Sequence, residues 1–427
     1  MYEHLCSMEF GVVDVEGGDD FELELEELVA EDLVDLDIKD SILHFMYAAY
    51  QTSKRKERAN MLYRYFVSWD VMENTRLEEM FIVGPEELNG ISAFMEEWIS
   101  YLKNKDGDLA ARLLTEACIY QGGVDRLVEI ARSVSKRHPV LYKNACECLL
   151  SEAAFSECEK VGLEAIRLLP KKLVVRGQIA DLAAKAAIQL ENRETMKECY
   201  EAAFYAESTL SHYLRLFELP AYGEITKQAA MFVGTLPENT ETPYHERNNE
   251  QLRMNTASKE LKKGIRFFNQ EFDEMMNVCK KDKTELGWSS HFKGVMVPLF
   301  VLVLNKNNQL ATAGNKLLDN IAIRLRYKDE EKSFTERFLF WKEKVIITDE
   351  QFEKYSSWLQ KEIDKRTEAV VGGGYRHSYY KPAVLIAAFG EAIESNGDVN
   401  GKAKLIEHYK KVHSRKRAFK AEFNDLN

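Results

Sequence analysis

The chain has 427 residues, 45% of them hydrophobic and 30% charged, with 8 prolines and 22 glycines where average usage gives roughly 21 and about 30. So few chain breakers argue against collagen-like, low-complexity and turn-rich all-β architectures. The net charge is −12, and one segment carries the excess: Asp14 to Asp40 holds 13 acidic residues against a single Lys39, so the remainder is neutral.

Residues 1–24 contain Gly17-Gly18 and the alternation Phe21/Leu23/Leu25, which predicts an extended arm or a short strand. From Leu25 the spacing Leu25, Leu28, Val29, Leu33, Leu36 is helical. Ile42 to Val71 predicts one or two helices with Phe45, Tyr47, Tyr63, Tyr65 and Phe66 at apolar positions. Pro85 and Gly90 punctuate the chain before a helix over Ile91–Leu102.

Seven helical segments then follow closely: Leu109–Tyr120, Val124–Ser135, Val140–Leu150, Ala153–Leu168, Val174–Leu190, Arg193–Tyr205 and Leu210–Leu219. Gly122-Gly123 can adopt the left-handed backbone that closes a helix. Pro139 suits a first turn, where its missing N–H costs nothing. Pro170 and Pro220 stop the helices before them. Small residues (Gly162, Ala165, Ala183, Ala187, Ala202, Ala203) stand where neighbouring helices must approach, and a Glu-Ala pair recurs at 116, 164 and 201. Antiparallel pairs of this length predict an all-α fold, an α–α superhelix of degenerate tetratricopeptide-like repeats.

Gly234 to Asn255 is rich in Asn, Thr and Glu, with Pro237 and Pro243, and reads as a linker. Beyond Ser258, Ile265, Phe268, Phe272, Met275 and Met276 share one helical face. Leu286-Gly287-Trp288 is a turn into an apolar helix, Val295–Leu304, which Pro298 opens or kinks. Capping boxes at Ser333–Glu336 and Thr348–Gln351 mark two further starts. After the second, Phe352, Tyr355, Leu359 and Ile363 form a stripe. Gly372-Gly373-Gly374 breaks the chain before final helices over Pro382–Ser395 and Lys402–Phe423. The predicted organisation is an acidic arm (1–40), a helical-repeat domain (41–233), a linker (234–257) and a C-terminal helical domain (258–427) ending in a basic helix.

One set of residues resembles a known family. It comprises His138-Pro139-Val140-Leu141-Tyr142, Glu164-Ala165 before Leu169-Pro170, Arg176-Gly177-Gln178-Ile179-Ala180, Ala202-Ala203-Phe204, and Tyr213-Leu214-Arg215-Leu216. Together with Leu286-Gly287-Trp288-Ser289, Tyr375-Arg376-His377-Ser378-Tyr379, Gly390-Glu391 and Arg417-Ala418-Phe419, it resembles the TPR-like helical-repeat region of uncharacterised bacterial proteins, some of which carry a SWIM-type zinc finger upstream. The resemblance implies a TPR-like scaffold. The chain has no CxC…CxH finger pattern, so a nucleic-acid role that rests on the finger is not implied.

Chemistry-bearing motifs are sparse. Cys146-x-Cys148 is the one close cysteine pair, and residues two apart on a helix point about 200° apart, so they cannot chelate together. Cys118, Cys158 and Cys199 fall on apolar faces and read as core. There is no HExxH and no P-loop ending. Gly372–Gly374 with Arg376, His377 and Lys381, just before a helix, is a candidate anion cradle, against which stands a loop packed by Tyr375, Tyr379 and Tyr380. Lys402 to Lys420 holds eight basic residues and one acid, making Lys411, Arg415, Lys416 and Arg417 candidate phosphate contacts.

The resulting expectation is a non-catalytic scaffold for protein–protein interaction in the bacterial cytosol, with no cofactor and no metal. Its partner is another protein, and opposite charge suggests contact between the 14–40 and 402–420 segments within or between chains. The alternative is a nucleic-acid-associated protein working through the basic C-terminal helix. A third reading is an enzyme centred on Arg376 and His377. Neither a membrane span nor a signal sequence is recognisable.

Overall fold

The computed structural model describes residues 21–30, 35–238, 249–282, 292–325 and 327–426. Its named elements are all helices, and the sole extended pairing among the described residues is an isolated antiparallel bridge between Leu173 and Met254. No described helix is long and apolar enough to cross a membrane. The chain divides into two compact units: Met1–Glu207 with Thr240–Asn255, and Ser208–Asn239 with Thr256–Asn427.

The first unit contains α1 (Phe21–Ala30), α2 (Ile38–Thr52), α3 (Arg55–Ser68), α4 (Ile91–Leu102), α5 (Asp108–Val134), α6 (Val140–Ser151), α7 (Phe155–Leu168), α8 (Val174–Gln189) and α9 (Arg193–Ala206). Two 3-10 turns, Asp70–Asn74 and Leu77–Phe81, lie between α3 and α4. Local chemistry sets many of these boundaries. The Asp37 side chain accepts the Asp40 N–H at 2.8 Å and starts α2. Gly90, at φ 72°, leads into α4. Inside α5, Gly122 (φ −159°) and Gly123 (φ 64°, ψ −157°) break the helical backbone, so two predicted segments are joined by a kink.

From α5 onward each helix packs on the next, and α6 also packs on α8, as α7 does on α9. Small residues make the close crossings. A Cβ on Gly162 of α7 would stand 2.5 Å from that of Ala183 on α8, so the two helices meet at backbone distance. Cys118, Cys146, Cys158 and Cys199 are all fully buried, and burial pushes the Cys118 thiol up to about 12.

The predicted strand at Phe21/Leu23/Leu25 is not formed. Phe21 already starts α1, because helical rather than alternating spacing brings Glu22 and Leu25 to one face, where both are buried. The Glu22 carboxylate accepts the N–H groups of Asp70 and Val71, each at 2.6 Å, and so caps the first 3-10 turn. α1 ends at Ala30, and Leu36 lies outside any helix. Residues 1–20 and Leu33 fall outside the described residues.

The second unit contains α10 (Leu210–Arg215), α11 (Tyr222–Gly234), α12 (Lys259–Phe268), α13 (Phe272–Lys281), α14 (Phe292–Leu304), α15 (Thr312–Leu325), α16 (Phe334–Lys342), α17 (Asp349–Thr367), α18 (Tyr380–Ser395), α19 (Gly401–Val412) and α20 (Arg417–Ala421). Both capping boxes form as the sequence predicts, at Ser333/Glu336 and Thr348/Gln351. Phe267, Phe268, Phe272, Phe300, Trp341, Tyr355 and Trp358 make an aromatic core around α14, and the indole N–H of Trp341 donates to the Phe268 carbonyl at 2.8 Å. Pro298 lies inside α14, so it does not open that helix. The predicted turn at Leu286–Trp288 lies outside the described residues.

Two predicted helices are divided. Gln270, at φ 65°, separates α12 from α13, so the stripe Ile265–Met276 is shared by two helices. The predicted Lys402–Phe423 helix stops at Val412, and α20 starts afresh at Arg417. His413 ends α19 with a non-helical backbone, and its buried ring packs on Phe419 at 5.6 Å. Val412 is exposed, whereas Tyr409, Phe419 and Phe423 are buried.

A buried guanidinium organises one side of this unit. The Arg337 side chain is fully buried and donates to Glu218 at 2.6 Å, Asp329 at 3.0 Å and Glu331 at 3.3 Å. Burial opposes ionisation of Asp329. The Glu331 N–H and the Arg337 charge outweigh it and hold the carboxyl below the usual aspartate range. Elsewhere in the unit, Glu391 accepts the N–H groups of Ala313 and Gly314 at the start of α15, at 3.2 and 2.9 Å.

Candidate functional site

In the first unit, α5, α6 and α8 present one face each to a cavity of about 440 Å³. Arg112, Asn144 and Gln178 line it, each the fifth residue of its helix. Arg112 is fixed from below, donating to the carbonyls of Thr75 at 3.1 Å and Met72 at 3.0 Å and pairing with Glu116 at 3.1 Å. Burial raises the Glu116 carboxyl above its ordinary value despite the Arg112 charge. Asn144 donates through Nδ2 to the Thr115 hydroxyl at 2.9 Å, which leaves its carbonyl oxygen available. The lining mixes apolar surface from Ala111, Val140, Val174 and Val175 with cations and carboxylates in balance.

Part of the segment read as linker closes one edge of this cavity. The Asp108 carboxylate accepts the N–H groups of Glu250 at 2.6 Å and Gln251 at 3.2 Å. The Arg253 carbonyl accepts the Val174 N–H at 2.9 Å, and the Lys172 carbonyl accepts the Asn255 N–H at 2.7 Å. Gln251 and Asn255 are buried, the latter donating to the Tyr205 carbonyl at 3.0 Å. Residues 249–255 thus form a strap, a 3-10 turn over 249–252 whose first N–H groups Asp108 caps and a short extended stretch over 253–255, held by main-chain groups. Residues 239–248 of the predicted linker lie outside the described residues.

The residues singled out from sequence all lie in the second unit. Arg376 and His377 are exposed on a single 3-10 turn, Arg376–Ser378. The glycine run before them does not offer its donors to a ligand: the N–H groups of Gly373, Gly374 and Tyr375 go to the carbonyls of Glu368, Val371 and Val370 at 3.0–3.2 Å. The Glu368 carboxylate also lies against Gly372, where an anion would meet like charge. Lys381 is half-buried in the first turn of α18. Burial, with Arg366 and Arg324 close by, lowers its ammonium below the ordinary lysine value. The sequence groups Lys381 with Arg376 and His377, and the fold half-buries it, with its ammonium over the Tyr380 ring.

Lys411, Arg415 and Arg417 are exposed, and Lys416 is half-buried. Of the eight cations between Lys402 and Lys420, Lys402 pairs with Glu391 at 3.1 Å and Lys404 with Asp398 at 2.6 Å, while Lys410 stands over the Phe423 ring. The fold brings two sequence-distant sets to the same place. The ring of Tyr379, directly after the Arg376–Ser378 turn, packs on Phe419 of α20 at 5.9 Å, and Phe419 also contacts His413 of the α19–α20 turn.

Among the described residues no three His, Cys, Asp or Glu side chains converge as metal ligands do. No protein family, no curated protein and no solved structure matches the chain.

The cavity residues Asn144 and Gln178 escaped the sequence reading because a single amide on a helix is an ordinary surface residue. Their common helix position, together with Arg112, is the signal that could have found them.

Proposed function

We propose that residues 91–206 form a short superhelix of TPR-like repeats and that the protein is a non-catalytic scaffold, with the α5–α6–α8 face receiving an extended segment of a partner protein. α5, α6 and α8 begin at Asp108, Val140 and Val174, 32 and 34 residues apart, close to the 34-residue period of such repeats. The contacts of α6 with α8 and of α7 with α9 support this reading, since stacked helix pairs bring alternate helices together. The observation that carries the reading is the strap. This face already holds a piece of its own chain through main-chain hydrogen bonds, with residues 253–255 extended beside Leu173, and the adjoining cavity offers the amides of Asn144 and Gln178, which match the donor–acceptor pair of a peptide group.

The test is selection of displayed peptides on the intact protein, followed by titration calorimetry. Losing two amide contacts at about 1 kcal/mol each predicts roughly ten-fold or greater weakening for Asn144→Ala/Gln178→Ala. The melting temperature should change little. Selected peptides that bind both proteins equally would overturn the assignment of the groove.

A further inference from the structure

We infer that the α19–α20 end of the second unit binds single-stranded nucleic acid, using the turn at Arg376–His377 and the cations Lys411, Arg415, Lys416, Arg417 and Lys420 as one composite surface. This site is independent of the groove in the first unit.

Three observations converge. The first is charge. His408 to Lys420 contains no acidic residue, and none of those five cations makes an ion pair among the described residues. The Glu368 carboxylate acts on His413, and Glu407 and Glu422 flank the run in sequence. His413 is buried against Phe419 and lies beneath the surface.

The second is juxtaposition. The Tyr379–Phe419–His413 ring contacts, at 5.9 and 5.6 Å, lock the Arg376–Ser378 turn to the turn between α19 and α20. Cations nearly forty residues apart in sequence therefore sit on two elements joined through one aromatic side chain. Phosphates along a strand are spaced regularly, and a surface built from two elements can follow several of them where one helix end cannot.

The third is exposed aromatic area. Tyr375 is 67% exposed and Tyr380 47% exposed, flanking Arg376 and His377. The Tyr375 ring rests against Gly373, where an added Cβ would come within 2.8 Å of it, so the glycine makes room for a ring that is supported yet open to solvent. Cations beside accessible aromatic rings suit unpaired bases, which stack, better than an acidic peptide, which has no π face to offer, or a duplex, whose bases are covered.

The experiment is fluorescence anisotropy on the full chain with labelled oligo-dT of about twenty nucleotides. Competitors are the matching duplex, polyglutamate and a peptide of residues 14–40. Binding should weaken steeply with salt, with a log–log slope of about −3 to −4 for five phosphate contacts. Arg415→Glu/Lys416→Glu/Arg417→Glu should reduce the slope by about two and the affinity at least ten-fold. Tyr375→Ala should weaken oligo-dT about five-fold or more while leaving polyglutamate unaffected, with an unchanged melting temperature. Arg376→Glu tests the second element and should also weaken binding. Absence of oligo-dT binding at 50 mM salt would refute the inference. So would tighter binding of the 14–40 peptide combined with indifference to Tyr375→Ala, which would mark the surface as a receptor for acidic polypeptide.

Discussion

Replacing Arg337 by methionine should destabilise the second unit by about 3 kcal/mol, at the lower end of the range for breaking a buried ion pair. The side chain is fully buried and joins three carboxylates from two places in the sequence, Glu218 from one and Asp329 and Glu331 from the other. The value sits low in the range because no carboxylate is left without a partner. Glu218 keeps Lys332 at 2.6 Å, Asp329 keeps the Tyr327 hydroxyl at 3.0 Å and the Glu331 N–H at 2.9 Å, and Glu331 keeps Arg215 at 3.8 Å. For a unit of about 200 residues, that loss corresponds to roughly 6–12 °C in melting temperature. Differential scanning calorimetry measures it directly. A double variant, Arg337→Met/Glu218→Gln, should recover part of the loss, because one of the three neighbouring negative charges is removed together with the guanidinium that balanced them. A change of less than about 1 kcal/mol in the single variant, or no recovery in the double, would refute the view that Arg337 neutralises buried charge.

Three further outcomes follow from the packing and the charges. Gly162→Val should cost the first unit about 1–3 kcal/mol by thermal unfolding, and Ala183→Gly should relieve part of it, since the two Cβ positions collide at 2.5 Å. Asp108→Ala should speed hydrogen exchange at the amides of Glu250 and Gln251 several-fold, and unchanged exchange would mean the strap is held without that carboxylate. Asp329 has a depressed carboxyl pKa, so the stability it contributes is present above the ordinary aspartate value and lost as pH falls through the lower folded value. Asp329→Asn should therefore differ most from the parent protein near neutral pH. Chemical denaturation at a series of pH values should show the gap narrowing below about pH 4.

Local features of the fold were legible in the sequence. The capping boxes at Ser333 and Thr348, the break at Gly122-Gly123 and the start of α4 after Gly90 are written in a few adjacent residues, and the structure forms them there. Gly162 was readable as a close-approach residue because only small side chains suit a helix crossing. Misreadings occurred where a distant group decides. Phe21 starts a helix because Glu22 meets the backbone at Asp70, nearly fifty residues on. The α19–α20 break depends on His413 packing against Phe419. At the candidate sites, neither the partial burial of Lys381 nor the meeting of the 376 turn with α20 can be seen from spacing, since Phe419 and Tyr379 are forty residues apart. The strap was equally hidden, because polar, proline-bearing composition describes a linker and an anchored segment alike.

The strap also sets an order of events during synthesis. The first unit is discontinuous: thirty-two residues assigned to the second unit, Ser208–Asn239, are translated before the segment Thr240–Asn255 that completes the first. A ribosome-bound chain ending near residue 207 therefore has α5 and α8 in place but leaves the Asp108 carboxylate and the Val174 N–H without the groups that later engage them. At synthesis speeds of about 5–20 residues per second, that interval lasts a few seconds. During it the edge of the groove stands open on the nascent chain, before its own sequence arrives to close it.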